Sequence, residues 1–479
     1  MSKIEKLDYK KTVLIGFGFL GAQIMWGIYD PYITKILNAM LSDSPTLAAW
    51  SDNLTTRFPA LLEFAQTQGT GVVSLVPLFI GIIMTFDNVF GVIFQPAFGK
   101  LSDRTHSRYG KRSPYIYLGA PISAVLFALI PWMFLSFNSL PALMIFVILF
   151  VFIMSLWRAP IVALMPDLTP PSLRSEGNAI INLCGGVGGF LALVLGTVIM
   201  KVMGLTAENE VQSFPYVFLA GSVITVICTL VLFLTVKEPD SRLKALSDKK
   251  EALDIQAQQA AQKAAEKAEK ERLKQIKLTS KERTSLIFML VGLFFLFCGT
   301  NSITTFFALF AAEVLGKSTS EATIMMAVFA VFSMLAAIPA GKLGKKLGRR
   351  NTILLGLVMF LVVFVLYRVT GNLAMIWAAL VIGGVAFMFI TVNTLPLVLE
   401  IGGLEKVGTF TGYYYTATFS AQIAAPILFG LFVMFSGTYM SLFVFCPIAF
   451  VISLACMLFV RHGEVIPDEV IKEARLAED

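Results

Sequence analysis

Five ionisable residues interrupt long apolar runs: Asp30, Asp87, Arg158, Asp167 and Glu400. A charge at mid-membrane depth costs roughly 2.5–3.5 kcal/mol on insertion scales unless it is paired or hydrated, so each of these residues needs a reason to be there. Asp87 lies about fifteen residues into its run, near the midplane at the 1.5 Å rise of a helix. A carboxyl group in a poorly solvated cavity suits the reversible uptake of a proton. The competing reading is a structural partner, for Arg158 among others. Asp30, beside Pro31 at the outer end of its run, is the second proton-coupling candidate, or an acid that snorkels to water. Arg158 offers five donors in a fixed fork, suited to hydroxyl groups or to a carboxylate. Asp167 and Glu400 close their runs and read as gating contacts at helix ends.

Recognition of hydroxyl-rich molecules combines polar side chains with aromatic faces. Gln23, Trp26 and Asp30 are spaced three and four apart, hence on one helical face, with Tyr29 adjoining. Later runs add Asn88, Asn301, Asn393, Tyr414 and Gln422. With Arg158, these residues are the candidate substrate contacts. The alternative is that Asn and Gln bond neighbouring helices while Trp and Tyr occupy the lipid interface.

The elements that carry these residues follow from composition. The 479 residues are 57% hydrophobic and only 14% charged, with a mean hydropathy of +0.78. Soluble chains hold about 25% charged residues. The charges also cluster: residues 237–283 contain 13 Lys/Arg and 9 Asp/Glu. This excludes a soluble enzyme, a disordered chain and a disulfide scaffold, and it describes an integral membrane protein. Twelve runs are long enough to span: approximately 12–37, 72–101, 114–135, 141–165, 176–201, 214–236, 285–311, 322–341, 352–369, 373–399, 409–435 and 438–460. The expected fold is an all-α membrane protein of twelve transmembrane helices. The first run is too long for the core of a cleavable signal.

Outside the charged central stretch, 19 Lys/Arg fall on the side that holds the termini and 5 on the other, which predicts that both termini are cytoplasmic. Net charge of +7 therefore belongs to lipid-facing loops, with no nucleic acid implied. The expected domains are 1–236 and 284–461, six spans each, joined by a charged helical linker at 237–283 and followed by a tail at 462–479. Five cysteines all lie in apolar runs and the chain has two histidines, so no metal site is expected. No nucleophile–base set or cofactor loop points to an enzyme, no cofactor is implied, and nothing demands more than a monomer.

A loop recurs after the second span of each half. The first copy runs Gly99-Lys100-Leu101-Ser102-Asp103-Arg104, then through Arg108 to Gly110-Lys111-Arg112; the second runs from Gly341 to Gly348-Arg349-Arg350. Its glycines permit close helix approach, its acid can cap a neighbouring helix, and its cations face lipid headgroups. Such loops can latch one conformation of a rocking molecule. Lys345 stands at the acidic position of the second copy, which predicts a weakened latch there.

Twelve spans, a six-plus-six division and this duplicated loop resemble the major facilitator superfamily over nearly the whole chain. The longer first-half loop, QPAFGKLSDRTHSRYGKRSPY, resembles that of the sugar–cation symporters, both the glycoside–pentoside–hexuronide group and the sucrose/maltose-type proton symporters. RAPIVALMPDL (158–168) and TGYYYTATFSAQIAAP (411–426) are similar to the same branch. The resemblance implies two six-helix bundles around a central cavity, a multi-pass place in the cell membrane, and proton-coupled uptake of a glycoside or small oligosaccharide by alternating access. A proton-driven exporter of drugs or metabolites is the alternative on the same fold. Sodium coupling is the lesser expectation, because Gly91 and Gln95 stand where the sodium-coupled members carry aspartates.

Overall fold

The chain folds into helices that alternate in direction, each started and stopped by its own residues. The structure, a computed structural model, describes residues 7–60, 63, 66, 73–170, 173–241, 279–402 and 407–461. The linker helix expected within 242–278 and the tail at 462–479 lie outside the described residues.

The first half comprises α1 (Tyr9–Ser42), α2 (Pro45–Arg57), α3 (Val76–Met84), α4 (Phe86–Asp103), α5 (Ser113–Leu135), α6 (Leu140–Leu168), α7 (Arg174–Met203) and α8 (Phe214–Thr235). The second comprises α9 (Ser280–Leu315), α10 (Thr319–Leu347), α11 (Arg349–Thr370), α12 (Leu373–Gly402), α13 (Val407–Ser436) and α14 (Leu442–Phe459). Among the described residues, twelve helical segments, with α3 and α4 counted as one, are long and apolar enough to cross a membrane.

Caps explain the boundaries. Asp8 accepts the Lys11 N–H at the start of α1, and capping boxes at Thr279/Glu282 and Ser318/Glu321 open α9 and α10. Two features depart from the simplest reading of the sequence. The outer loop at 38–71 contains α2, begun by Ser44 capping Leu47 with Pro45 in the first turn. The second span is divided at Thr85, whose hydroxyl donates to Gly81 O at 2.8 Å and reaches across to Ile423 O at 3.2 Å.

Within the first half α1 packs chiefly on α7 and α8, and α5 on α6 and α8; within the second, α9 packs on α13 and α14, and α12 on α10 and α11. The halves meet through α3 on α13, α7 on α10 and α1 on α9. Small residues make the first of these seams tight. A Cβ on Gly81 would fall onto the Pro426 carbonyl oxygen, and one on Gly430 onto that of Pro77. The same Pro-x-x-x-Gly spacing thus serves both helices, each glycine seated on the other's proline carbonyl.

Hydrogen bonds between the halves, among the described residues, lie midway along the helices or toward the ends remote from the termini. Tyr32 bonds Ser320 at 3.1 Å, and Thr197 donates to Ser320 O at 2.9 Å. Tyr439 donates to Asn38 at 3.3 Å. Buried Glu210 accepts the Thr319 N–H at 2.5 Å and its hydroxyl at 3.1 Å, with Lys35 at 3.6 Å. It thereby caps α10 from the opposite half. Toward the termini the ionic contacts stay within one half, as shown below. Among the described residues, the hydrogen bonds that join the halves therefore lie away from the termini.

Candidate functional site

One cavity of about 550 Å³ lies between the halves, and it gathers the intramembrane charges. Asp30, Asp87 and Arg158 line it, with Gln23, Trp26 and Asn88 from the first half and Gln422 from the second. Proline shapes the helices that present them. Pro31 in α1 and Pro96 in α4 lack the N–H that would bond Gly27 and Val92, loosening α1 beside Asp30 and α4 along the cavity wall. In α1 the Thr34 hydroxyl turns back onto the carbonyls of Asp30 and Pro31, at 3.1 and 2.9 Å.

Asp87 sits in the first turn of α4, just past the division at Thr85. One carboxylate oxygen accepts the Asn88 N–H at 2.7 Å and the Asn88 amide at 2.9 Å. Arg158 forms no direct ion pair with Asp87 or Asp30 among the described residues. Its guanidinium instead lies over Trp26, 5.6 Å from the ring centroid. One cation and two acids therefore share a cavity without neutralising one another in contact, which leaves the guanidinium donors open to a ligand. The buried Trp26 indole N–H and Tyr29 hydroxyl also have no protein hydrogen-bond partner among the described residues.

The other sequence-selected polar residues use their groups elsewhere. Tyr29 is fully buried behind Trp26, against Phe150. Asn301 donates to Phe297 O at 2.7 Å, one turn back on its own helix. Asn393 spends its amide on Ala340 O and Phe389 O at 3.2 and 2.9 Å, and its carbonyl group meets Gly344 where α12 packs on α10. Tyr414 contacts Thr394 at 3.5 Å. Conversely, Gly91, Val92, Gln95, Pro96 and Phe419 line the cavity without having been selected. The signal was present: 87, 91 and 95, and 88, 92 and 96, are adjacent rows on one face of α4, and Phe419 lies three residues before Gln422.

The loop motif is a second cluster, at the terminal side of the first half. Arg112 is 6% exposed and spans from Asp103 to Asp167, the latter at 2.8 Å, with Ser102 at 2.5 Å and Gly99 O at 3.3 Å. Burial alone lowers its pKa, but the hydrogen bonds and charges of Asp167 and Asp103 outweigh that and raise it. Arg104, Arg108 and Lys111 point their charges to the exposed side of the loop or its margin. Asp103 does not cap a helix. That task falls to Glu238, which accepts the N–H groups of Lys111, Arg112 and Ser113 at 2.7, 2.9 and 3.0 Å at the start of α5. Gly110, at φ +95°, sits where a Cβ would strike that carboxylate. Ser241 exchanges hydrogen bonds with Ser107 in the same loop.

In the second half, Arg349 pairs with Glu400 and Arg350 bonds Met457 O and Leu458 O at 3.1 and 2.9 Å. An ion pair between loop and helix end is present there despite Lys345, because the helix-end acid supplies the carboxylate.

A family model described as MFS/sugar transport protein matches residues 69–401. Multidrug resistance protein 2 of Bacillus subtilis (strain 168) is 23% identical over 187 residues, 39% of this chain and 46% of that protein, so the chain spans about half the length of this relative. Among solved structures, the inward-open xylose transporter XylE from E. coli is 15% identical with a TM-score of 0.64, covering 95% of this chain and 96% of that one. The nucleoside transporter NupG is 14% identical with a TM-score of 0.61, covering 94% and 100%. At these identities the likeness is one of fold.

Proposed function

The chain belongs to the MFS/sugar transport protein family, and from that premise we propose that it takes up a glycoside or small oligosaccharide with protons, by alternating access. The observation that carries this reading is the cavity between the halves, in which two carboxyl groups and a guanidinium with no direct ion pair among the described residues stand beside Gln23, Trp26, Asn88 and Gln422. Asp87 is the proton carrier and Asp30 its second acid. Arg158 senses the charge on both and donates to substrate hydroxyls. Each ligand then favours binding of the other, which is what energetic coupling requires. The side of the termini is the cytoplasmic one, the membrane is the cell membrane, and one chain suffices.

Gly91 and Gln95 on the cavity wall supply no charge for a sodium ion, which supports protons over sodium. The second reading, a proton-driven exporter of drugs or metabolites, draws on the likeness to Multidrug resistance protein 2. Four uncharged polar side chains on the wall, Gln23, Asn88, Gln95 and Gln422, favour the sugar.

The test uses purified protein in liposomes that contain a pH-sensitive dye, under a negative internal potential. Disaccharides, monosaccharides and uronides are added outside in turn. One sugar is expected to acidify the interior, and Asp87→Asn to abolish acidification while sugar exchange across the membrane persists. Silence with every sugar, followed by silence with sodium, would transfer the reading to the exporter.

A further inference from the structure

A second, smaller cavity of about 210 Å³ lies on the other side of Asp30, between α1, α7, α9 and α10. Asp30 lines both cavities. The two differ in chemistry. The main cavity carries Arg158, Gln23, Asn88 and Gln422, whereas the smaller one is walled by Leu193, Phe307, Ala308, Met326, Phe329 and Ala330. Its two threonines add no free polarity. Thr304 donates to Asn301 O at 3.0 Å and Thr323 to Ser320 O at 2.8 Å, each on its own helix. At 210 Å³ the space falls below the roughly 300–1,000 Å³ of independent ligand pockets, and Asp30, which lines both cavities, makes it a neighbour of the main one, here called its annex.

We infer that the annex is a subsite for an apolar group on the transported molecule: the substrate is a glycoside whose sugar lies among Arg158, Gln23 and Gln422 and whose aglycone, a single ring or short chain, enters between Phe307, Met326 and Phe329. The inference rests on the sugar reading above. Asp30 marks the junction, where its carboxyl group meets the last hydroxyl of the sugar before the aglycone begins. A free monosaccharide leaves the annex unfilled and forgoes the apolar burial that a phenyl or short alkyl group gains there.

Calorimetric titration of the full-length purified protein decides the matter, with matched methyl and phenyl glycosides of glucose and galactose in both anomers. At least one phenyl glycoside is expected to bind tenfold or more tightly than its methyl partner, with a more negative heat-capacity change. Ala330→Phe from the second half, or Leu193→Phe from the first, fills the annex and brings that ratio to within twofold. A wild-type ratio within twofold, with methyl glycosides still bound, overturns the subsite and leaves the sugar reading intact. A tenfold ratio that survives both substitutions also overturns it, since the ring must then sit elsewhere. Binding of no glycoside at all overturns the sugar reading and the subsite together.

Discussion

Two guanidinium groups in this molecule illustrate opposite uses of one side chain. Arg112 is saturated by two carboxylates, a hydroxyl and a carbonyl. Arg158 rests on Trp26 with no direct ion pair among the described residues. A planar fork matters at both, but only at Arg158 does it face the cavity. Arg158→Lys keeps the charge and loses the fork and the stacking plane, so uptake is expected to fall at least tenfold while the protein still inserts. Radiolabelled sugar uptake, normalised to surface-labelled protein, reads this out; normal uptake would remove Arg158 from the site. Asp30, Asp87 and Arg158 were legible in the sequence because a charge in an apolar run is costly and therefore conspicuous. Asn393 was just as conspicuous, yet its amide serves a helix contact, because spacing gives a residue's face but not what that face meets. Glu238 gave no signal, since its partners lie more than a hundred residues earlier in the chain.

At the scale of elements, the seam between α3 and α13 is set by two glycines and two proline carbonyls. Gly81→Val places a branched side chain against the Pro426 carbonyl oxygen, which cannot yield without displacing α13. The far side is then expected to stay open more of the time, so that Asn38→Cys in that background reacts with an impermeant thiol reagent several times faster than in its absence. Unchanged reactivity and unchanged uptake would show that the seam does not govern closure. The twelve spans were readable from length and apolarity alone. The division at Thr85 was not, because a threonine in an apolar helix is ordinary until its hydroxyl reaches a neighbour. A different prediction attaches to the start of α5, where one carboxylate serves three backbone donors. Glu238→Ala leaves them unpaired in a half-buried loop and is expected to cost about 1–3 kcal/mol, seen as a lower unfolding temperature in detergent. An unchanged midpoint would mean that water replaces the carboxylate in full.

Taken whole, the molecule divides its polar contacts by side. Among the described residues, those that join the halves lie away from the termini, as Glu210 with Thr319 does, and the ion pairs near the termini stay within a half, as those of Arg112 and Arg349 do. Among the described residues, no ion pair near the termini joins the halves. Parting the halves on the side away from the termini must release the Glu210, Tyr32 and Thr197 bonds. The docking of Glu238 and Ser241 onto the first-half loop has a bearing on how the protein is made. It fastens the chain to the first half as far as Ser241, and a capping box starts the second half afresh at Thr279. The 37 residues between them, 242–278, could reach roughly 120 Å if extended, several times the hydrocarbon thickness. The halves also meet directly, through α3 on α13, α7 on α10 and α1 on α9. Two separate polypeptides, 1–241 and 279–479, produced together in one cell are therefore expected to find each other and restore uptake, whereas either alone should not. Failure of the pair, with both fragments present in the membrane, would mean that the covalent join does more than deliver two partners in equal number.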